Sequence, residues 1–357
     1  MLKVKINHNW EISKNQKKYF DTSTLLSILI NIKETGSISK AAKSVGLSYR
    51  YAWGILRNAE NIFKFKLIES GRGKGTKLSL LANKLVLADK RVSARLLPTL
   101  ESLSSELEIE LEKVINAPTS PIRIDASYGF AVDKFIKKAV DSEIIIDLSY
   151  KNSSEAVTAL SKGESDLAGF HVPIGDFEEL SIKHYKKWLN SKKHKLIHVA
   201  IRSQGLFVTK GNPFNIKNLK DLSRPEIRFV NRQNGSGTRM LIEFLIKEIG
   251  LKASKINGFE NTEFTHSAVA AYIASKMADV GFGIQTAADL FDLDFIPILN
   301  ERYFFAVNID MLMKKEIVNI INVLKKIEYK NVVNSLAGYD STDSGKILSL
   351  DEAFGNI

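Results

Sequence analysis

Apolar and polar positions along the chain follow two periods, and the change from one to the other divides the sequence. Residues 22–34, TSTLLSILINIKE, carry apolar side chains at helical spacing and stop at Thr35-Gly36. Ser37 opens a second, short helix in which Ala41 and Ala42 permit close crossing and Ile38 and Val45 face a core, with Gly46 in the turn that follows. Ser48 caps a third helix, YRYAWGILRNAENIF. It buries Ala52, Ile55, Leu56 and Ala59 and leaves Tyr49, Arg50, Trp53 and Arg57 outward. Residues 64–68, the loop ESGRGKGT and KLSLL predict two strands joined by a basic hairpin.

From Ala82 to Asn116 the residues Leu85, Val92, Leu96, Leu103, Leu107, Leu111 and Val114 recur at three-, four- and seven-residue intervals, a long amphipathic helix that Pro98 should kink or divide. Self-association and packing on its own domain both account for that stripe. APTSP at 117–121 marks a boundary. Beyond it, IRIDAS, EIIIDLSY and DLAGFHV alternate with helices over 132–140 and 154–161, the pattern of a parallel sheet covered by helices. The pattern restarts after HVAIRSQGLFVTKGNP with EIRFVNRQ, helices over 237–249 and 265–276, DVGFGI, then two strands, FIPIL and YFFAVN. The expected fold class is α/β: a winged helix-turn-helix over 1–81, a linker helix over 82–117, and a two-lobed domain over 118–357. Its first lobe takes 122–203 and 300–357, and its second 204–299.

Charge sharpens this division. The chain has 357 residues and a net charge of +11, of which residues 1–80 carry +10 and the rest almost none. A basic segment on a near-neutral remainder is the footprint of a nucleic-acid-binding module. Ser48, Tyr49, Arg50 and Arg57 would face the major groove, and Arg72, Lys74 and Lys77 the phosphates or minor groove. With no cysteine, thiolate metal sites and disulfides are excluded. No stretch is long and apolar enough for a membrane span, and the first twenty residues hold no apolar signal core, so a cytoplasmic location is expected.

The sharpest chemical motif is Arg232-Gln233-Asn234-Gly235-Ser236-Gly237-Thr238-Arg239, which follows a predicted strand and opens a helix. Free backbone N–H groups at a helix start, the hydroxyls of Ser236 and Thr238, and Arg232 together favour an anion. Ser127 and Tyr128 occupy the matching strand end of the other lobe. His171, Arg239, Thr265 and His266 are weaker candidates, better explained as packing or capping. The histidines lack metal-ligand spacing and there is no nucleophile elbow or phosphate-loop lysine, so no enzyme, no resident metal and no covalent cofactor is expected.

The run ETGSISKAAKSVGLSYRYAW with GRGKGTKLS resembles the winged helix of ModE-type regulators, related to that of the LysR type. GFHVPIG, FVNRQNGSGTR, THSAVAAYIASKMADVGFGIQTAA and LDFIPILNERY resemble a periplasmic-binding-protein-like domain, and R-x-x-x-S-G-T is similar to the anion motif of tungstate- and phosphate-binding transport proteins. The resemblance implies a homodimeric, one-component transcription regulator that binds double-stranded DNA and a small oxyanion. The repeated oxyanion modules of ModE itself are missing, so its ligand does not carry over. Protonated phosphate rewards an acceptor that the Arg232–Thr238 stretch lacks, although Asp125 or Asp133 would supply one near Ser127. That places molybdate or tungstate first, sulfate next and phosphate lower. An oxyanion- or organic-acid-binding protein, or an accessory of molybdenum or tungsten cofactor metabolism, are the alternatives.

Overall fold

The computed structural model describes residues 2–13, 19–71, 75–115, 121–140 and 144–355, which form two compact units, Asn7–Leu96 and Leu97–Ile357 with the N-terminal residues up to Ile6. In the smaller unit an antiparallel pair, β1 (Glu11–Ser13) and β2 (Tyr19–Asp21), precedes three helices, α1 (Ser23–Thr35), α2 (Ile38–Ser44) and α3 (Tyr49–Phe63), and a hairpin of β3 (Ile68–Gly71) and β4 (Gly75–Leu78). Gly36 ends α1 in the left-handed region, and the hydroxyls of Ser37 and Ser48 cap α2 and α3. Leu25, Ile28, Leu29 and Ile32 pack against Ala41, Ala42, Ala52 and Ala59, whose small side chains let the helices approach.

The hairpin differs from expectation. Its strands lie at 68–71 and 75–78, because Lys64 is the left-handed end of α3 (φ 59°) and Ser79 already caps the next helix by accepting from the Ala82 N–H at 3.2 Å. Its return strand is tied to the α1–α2 turn by Thr76 N–H donating to the Gly36 carbonyl at 2.8 Å.

The next helix, α4 (Leu80–Ile115), runs undivided through Pro98. A proline removes one intrahelical bond, and the turns on either side keep theirs. The two compact units part at Leu96/Leu97, next to that proline. Residues 2–6 run along the far half of α4, where Leu2 and Val4 N–H donate to Glu112 and Glu108, and Ile6 N–H to Ser104.

The larger unit is a mixed sheet, curled and covered by helices on both faces. In chain order it holds β5 (Ile122–Ala126), α5 (Phe130–Val140), β6 (Ile146–Tyr150), α6 (Ser153–Ser161), β7 (Leu167–Pro173), α7 (Glu178–Tyr185), β8 (His194–Val208), β9 (Phe229–Arg232), α8 (Gly237–Glu248), β10 (Thr262–Glu263), α9 (His266–Ala274), β11 (Val280–Ile284), α10 (Gln285–Leu290), β12 (Asp294–Asn308), α11 (Lys315–Lys325), α12 (Ile327–Asn334), β13 (Tyr339–Asp340), β14 (Ile347–Leu348) and α13 (Leu350–Phe354). The strand order is β10-β9-β11-β8-β12-β7-β5-β6, with β13 and β14 on the remaining edge of β8.

Two long strands carry both lobes. β8 and β12 pair antiparallel from Asp294↔Val208 to Asn308↔His194; β11 joins β8 only over 204–208, and β7 joins β12 only over 301–307. Residues 294–308, expected as two strands, are thus one. The polar interruption Asn300-Glu301-Arg302 stays in the ladder because Glu301 meets Arg202 on β8. β7 is buried at every position, as a strand covered on both faces must be. Separate apolar cores lie on the two faces of each lobe.

Candidate functional site

In each lobe, parallel strands feed helices, so the helix N-termini gather at the carboxyl ends of the strands. Four of these starts meet at one cavity: α5 after Ser127-Tyr128, α6 at Asn152-Ser153, α8 at Ser236-Gly237-Thr238, and α9 at His266. Each brings unpaired first-turn N–H groups and the positive end of its dipole. Gly235 permits the approach of α8 to α6. Its φ is +81°, and a Cβ there would stand 3.0 Å from the Asn152 amide nitrogen. A Cβ on Gly237 would lie 3.6 to 3.9 Å from Ser153 Oγ, Tyr185 OH and His171 Cβ across the cleft, so the missing side chain leaves room inside the site.

Two arginines supply the charge. Arg202 and Arg232 are buried, 2% and 7% exposed. Arg202 Nε donates to Glu301, and the Arg202 guanidinium also lies 3.5 Å from His266 Nε2. Burial disfavours its charge, yet Glu301 holds Arg202 above the ordinary guanidinium value. Arg232 has no such carboxylate partner among the described residues, and its Nε is buried without an acceptor. Burial, and then the charge of Arg202, push its guanidinium down to about 9. Burial first, and then the charges of Arg202 and Arg232, hold the imidazoles of His171 and His266 well below their ordinary range, so both are neutral at pH 7.

Hydrogen bonding orients the donors. Gln204 Nε2 donates both to Glu301 at 2.8 Å and to Thr238 Oγ1 at 3.2 Å. Having accepted that bond, the Thr238 hydroxyl keeps its proton for a ligand. Ser236 Oγ accepts from Arg239 N–H at 3.1 Å and is left in the same position. His171 Nδ1 lies 3.2 Å from Ser127 Oγ, while its Nε2 is buried without a partner. No carboxylate is among the lining residues. Asp125 is bound to Lys151 at 2.9 Å and Asp133 to Lys137 at 2.8 Å, so neither faces the cavity as an acceptor.

The space itself is small, about 20 Å³ in which a water-sized sphere can centre. A sphere of that volume has a radius of about 1.7 Å, close to one X–O bond of a tetrahedral oxyanion, so the four oxygens of such an ion fill it.

Of the residues singled out in the sequence, Ser127, Tyr128, His171, Arg232, Ser236, Gly237, Thr238 and His266 come together here. Arg239 and Thr265 do not. Arg239 is buried between Glu243 and Glu260, donates to the Phe259 carbonyl and stacks on the Phe259 ring at 4.3 Å. Thr265 caps α9 by accepting from Ala268 N–H. Arg202, Gln204, Ser153 and Glu301 belong to the site or its support and were missed. A visible signal existed for three of them, since Arg202, Gln204 and Glu301 are polar residues inside otherwise apolar strands.

In the smaller unit, Tyr49, Arg50 and Lys77 are exposed, and Ser48 spends its hydroxyl on the α3 cap. Arg57 lies 4.6 Å over the Trp53 ring and pairs with Glu60 at 3.1 Å. Arg50 shares a shallow depression of α3 with Ser48, Tyr51, Gly54 and Asn58. Arg72 and Lys74 lie outside the described residues. Among the described residues no helix is long and apolar enough to cross a membrane.

A model of the PBP superfamily domain matches residues 136–325. The chain is 32% identical over 203 residues to the uncharacterized protein YvgK of Bacillus subtilis strain 168, which covers 56% of this chain and 64% of that protein. It is 28% identical over 117 residues to an uncharacterized protein in the 5′ region of a ferredoxin 2Fe-2S gene of Clostridium pasteurianum, 31% of this chain and 98% of the relative. The chain thus spans a little under two thirds of the length of YvgK. Full-length BenM is similar in structure with a TM-score of 0.43 at 14% identity, over 87% of this chain and 96% of that one.

Proposed function

The chain belongs to the PBP superfamily, and from that premise we propose that its larger unit captures a fully deprotonated tetrahedral oxyanion, molybdate or tungstate first, as the sensor of a DNA-binding regulator. The observation that carries this reading is Arg232: a buried guanidinium with no carboxylate in ion-pair contact among the described residues and its Nε without an acceptor, lining a cavity the size of one XO₄ ion at which four helix starts meet. A buried cation without a counterion is costly, and a bound anion is the group that relieves it.

The donor set favours a dianion without a proton. Thr238 and Ser236 offer hydroxyl protons, the helix starts offer N–H groups, and the carboxylates nearby are already occupied by Arg202, Gln204, Lys151 and Lys137. A protonated phosphate would bring one donor too many. The enclosed space, about 20 Å³ for the centre of a water-sized sphere, fits one tetrahedral ion better than a bulky organic acid.

Binding also explains why the support sits on β8 and β12. An anion held by α8 pulls on Thr238, and Thr238 is bonded through Gln204 to Glu301, so the effect of the ligand reaches both strands that join the lobes. The smaller unit, with its +10 charge and the exposed face of α3 bearing Tyr49 and Arg50, is assigned to duplex DNA.

Titration calorimetry of the full chain with molybdate, tungstate, sulfate and phosphate tests the sensor. Binding of molybdate or tungstate is expected to be at least about tenfold tighter than that of phosphate, and Arg232→Gln to weaken it by about 100-fold. Equal affinity for Arg232→Gln, or no heat with any oxyanion, would overturn the assignment.

A further inference from the structure

Outside the residues that line the anion cleft, the larger unit carries a second concentration of positive charge that the sensor reading does not use. Residues 183–195, KHYKKWLNSKKHK, hold six lysines and no carboxylate. They follow from the end of α7 into the start of β8, where Lys186, Lys187 and Lys193 line an open groove with Lys162 from the end of α6; Lys192 is exposed beside them. None of the residues lining the groove is acidic. Among the described residues these lysines have no carboxylate within ion-pair distance, whereas Lys183, outside the groove, is paired with Glu179.

We propose that this groove is a docking surface for the phosphate backbone of duplex DNA, independent of base sequence. The choice of DNA as the polyanion rests on the DNA-binding reading of the smaller unit. The chemistry selects among polyanions. All the cations are lysines, point charges that neutralise phosphate without the planar fork that reads base edges. Trp188 is half-buried, set edge-on to His184 and packed against the apolar core, and Lys187 Nζ stands 5.9 Å over its ring, so a cation and not an open aromatic platform for single-stranded bases meets the groove there. A membrane surface would call for exposed apolar side chains to insert between the lysines, and an acidic protein partner for an apolar anchor; of the apolar residues lining the groove, Leu160 and Leu189 are buried and Trp188 is half-buried.

The test uses the full chain and a short random-sequence duplex, with affinity measured across a range of salt. A variant with Lys162, Lys186, Lys187 and Lys193 each changed to Gln should bind at least about tenfold more weakly at low salt, with the slope of log affinity against log salt reduced by about 0.9 for each phosphate that is no longer neutralised. All four side chains are exposed or line open solvent, and an unchanged molybdate response would show the variant folded. An unchanged slope overturns the proposal, as does loss of binding to phosphatidylserine vesicles with DNA binding intact. Arg50→Ala separates the two readings. If it abolishes preference for the chain's own upstream DNA while the lysine variant changes nothing, the groove proposal alone fails; if Arg50→Ala is silent and the lysine variant loses binding, the α3 reading alone fails.

Discussion

Arg232 illustrates how one residue's burial sets both a cost and a use. Burial, and then the charge of Arg202, disfavour its charged form and push its pKa down from the ordinary guanidinium value to about 9. Because the folded value is the lower one, the penalty is complete at pH 7 and is relieved only as pH rises through about 9. Replacing Arg232 with Met removes the charge and keeps apolar volume, so the ligand-free protein should become more stable at pH 7 by on the order of 3 kcal/mol in denaturant unfolding. The same variant should lose the rise in midpoint that molybdate gives the parent protein. A destabilised variant that still responds to molybdate would mean that Arg232 is a structural residue.

The residue scale is also where legibility was highest for α8 and lowest for the strands. A strand followed at once by Arg-x-x-x-Ser-Gly-Thr can be read locally, because a helix start and its dipole are local facts. Arg202 and Glu301 cannot be paired from the sequence. They lie 99 positions apart, and only the β8–β12 register makes them neighbours. Arg239 went the other way: its position after Ser236 looks like an anion ligand, but the turn of α8 carries it away from the cleft to Glu243, Glu260 and Phe259.

Among the elements, α4 shows what periodicity can and cannot convey. Its apolar stripe correctly indicates a long helix, and one proline did not break it. The stripe says nothing of the hydroxyls that fasten the helix to β6, where Ser102 Oγ accepts from Tyr150 N–H at 3.0 Å and Ser105 Oγ from Leu148 N–H at 2.8 Å. One turn away, burial and then the Asp133 carboxylate push Glu101 up to about 7, against the weaker opposing effects of Lys137 and Tyr150. A raised carboxyl value stabilises the fold fully below about 4.5, and that stability is lost as pH rises through about 7. Glu101→Gln should therefore flatten the pH dependence of unfolding over that window and stabilise the protein at pH 8 by on the order of 2 kcal/mol, with partial exposure already discounted. Parallel pH profiles for the two proteins would refute this placement of Glu101.

For the molecule as a whole, the chain forms two compact units that part at Leu96/Leu97, within a helix rather than at 117–121, where the sequence marks a boundary. The mixed sheet explains why the lobes could be anticipated as repeated βα patterns while their connection could not: β8 and β12 each serve both lobes, and a strand that changes partners midway has the same alternating sequence throughout. The central claim joins an anion site in one unit to DNA binding by the other. It is tested most directly by measuring the affinity of the full chain for its own upstream DNA with and without saturating molybdate, in the parent protein and in Arg232→Gln. A change of about 5- to 150-fold in the parent and none in the variant is expected for two coupled sites. Equal DNA affinity with and without molybdate in the parent protein would contradict the account.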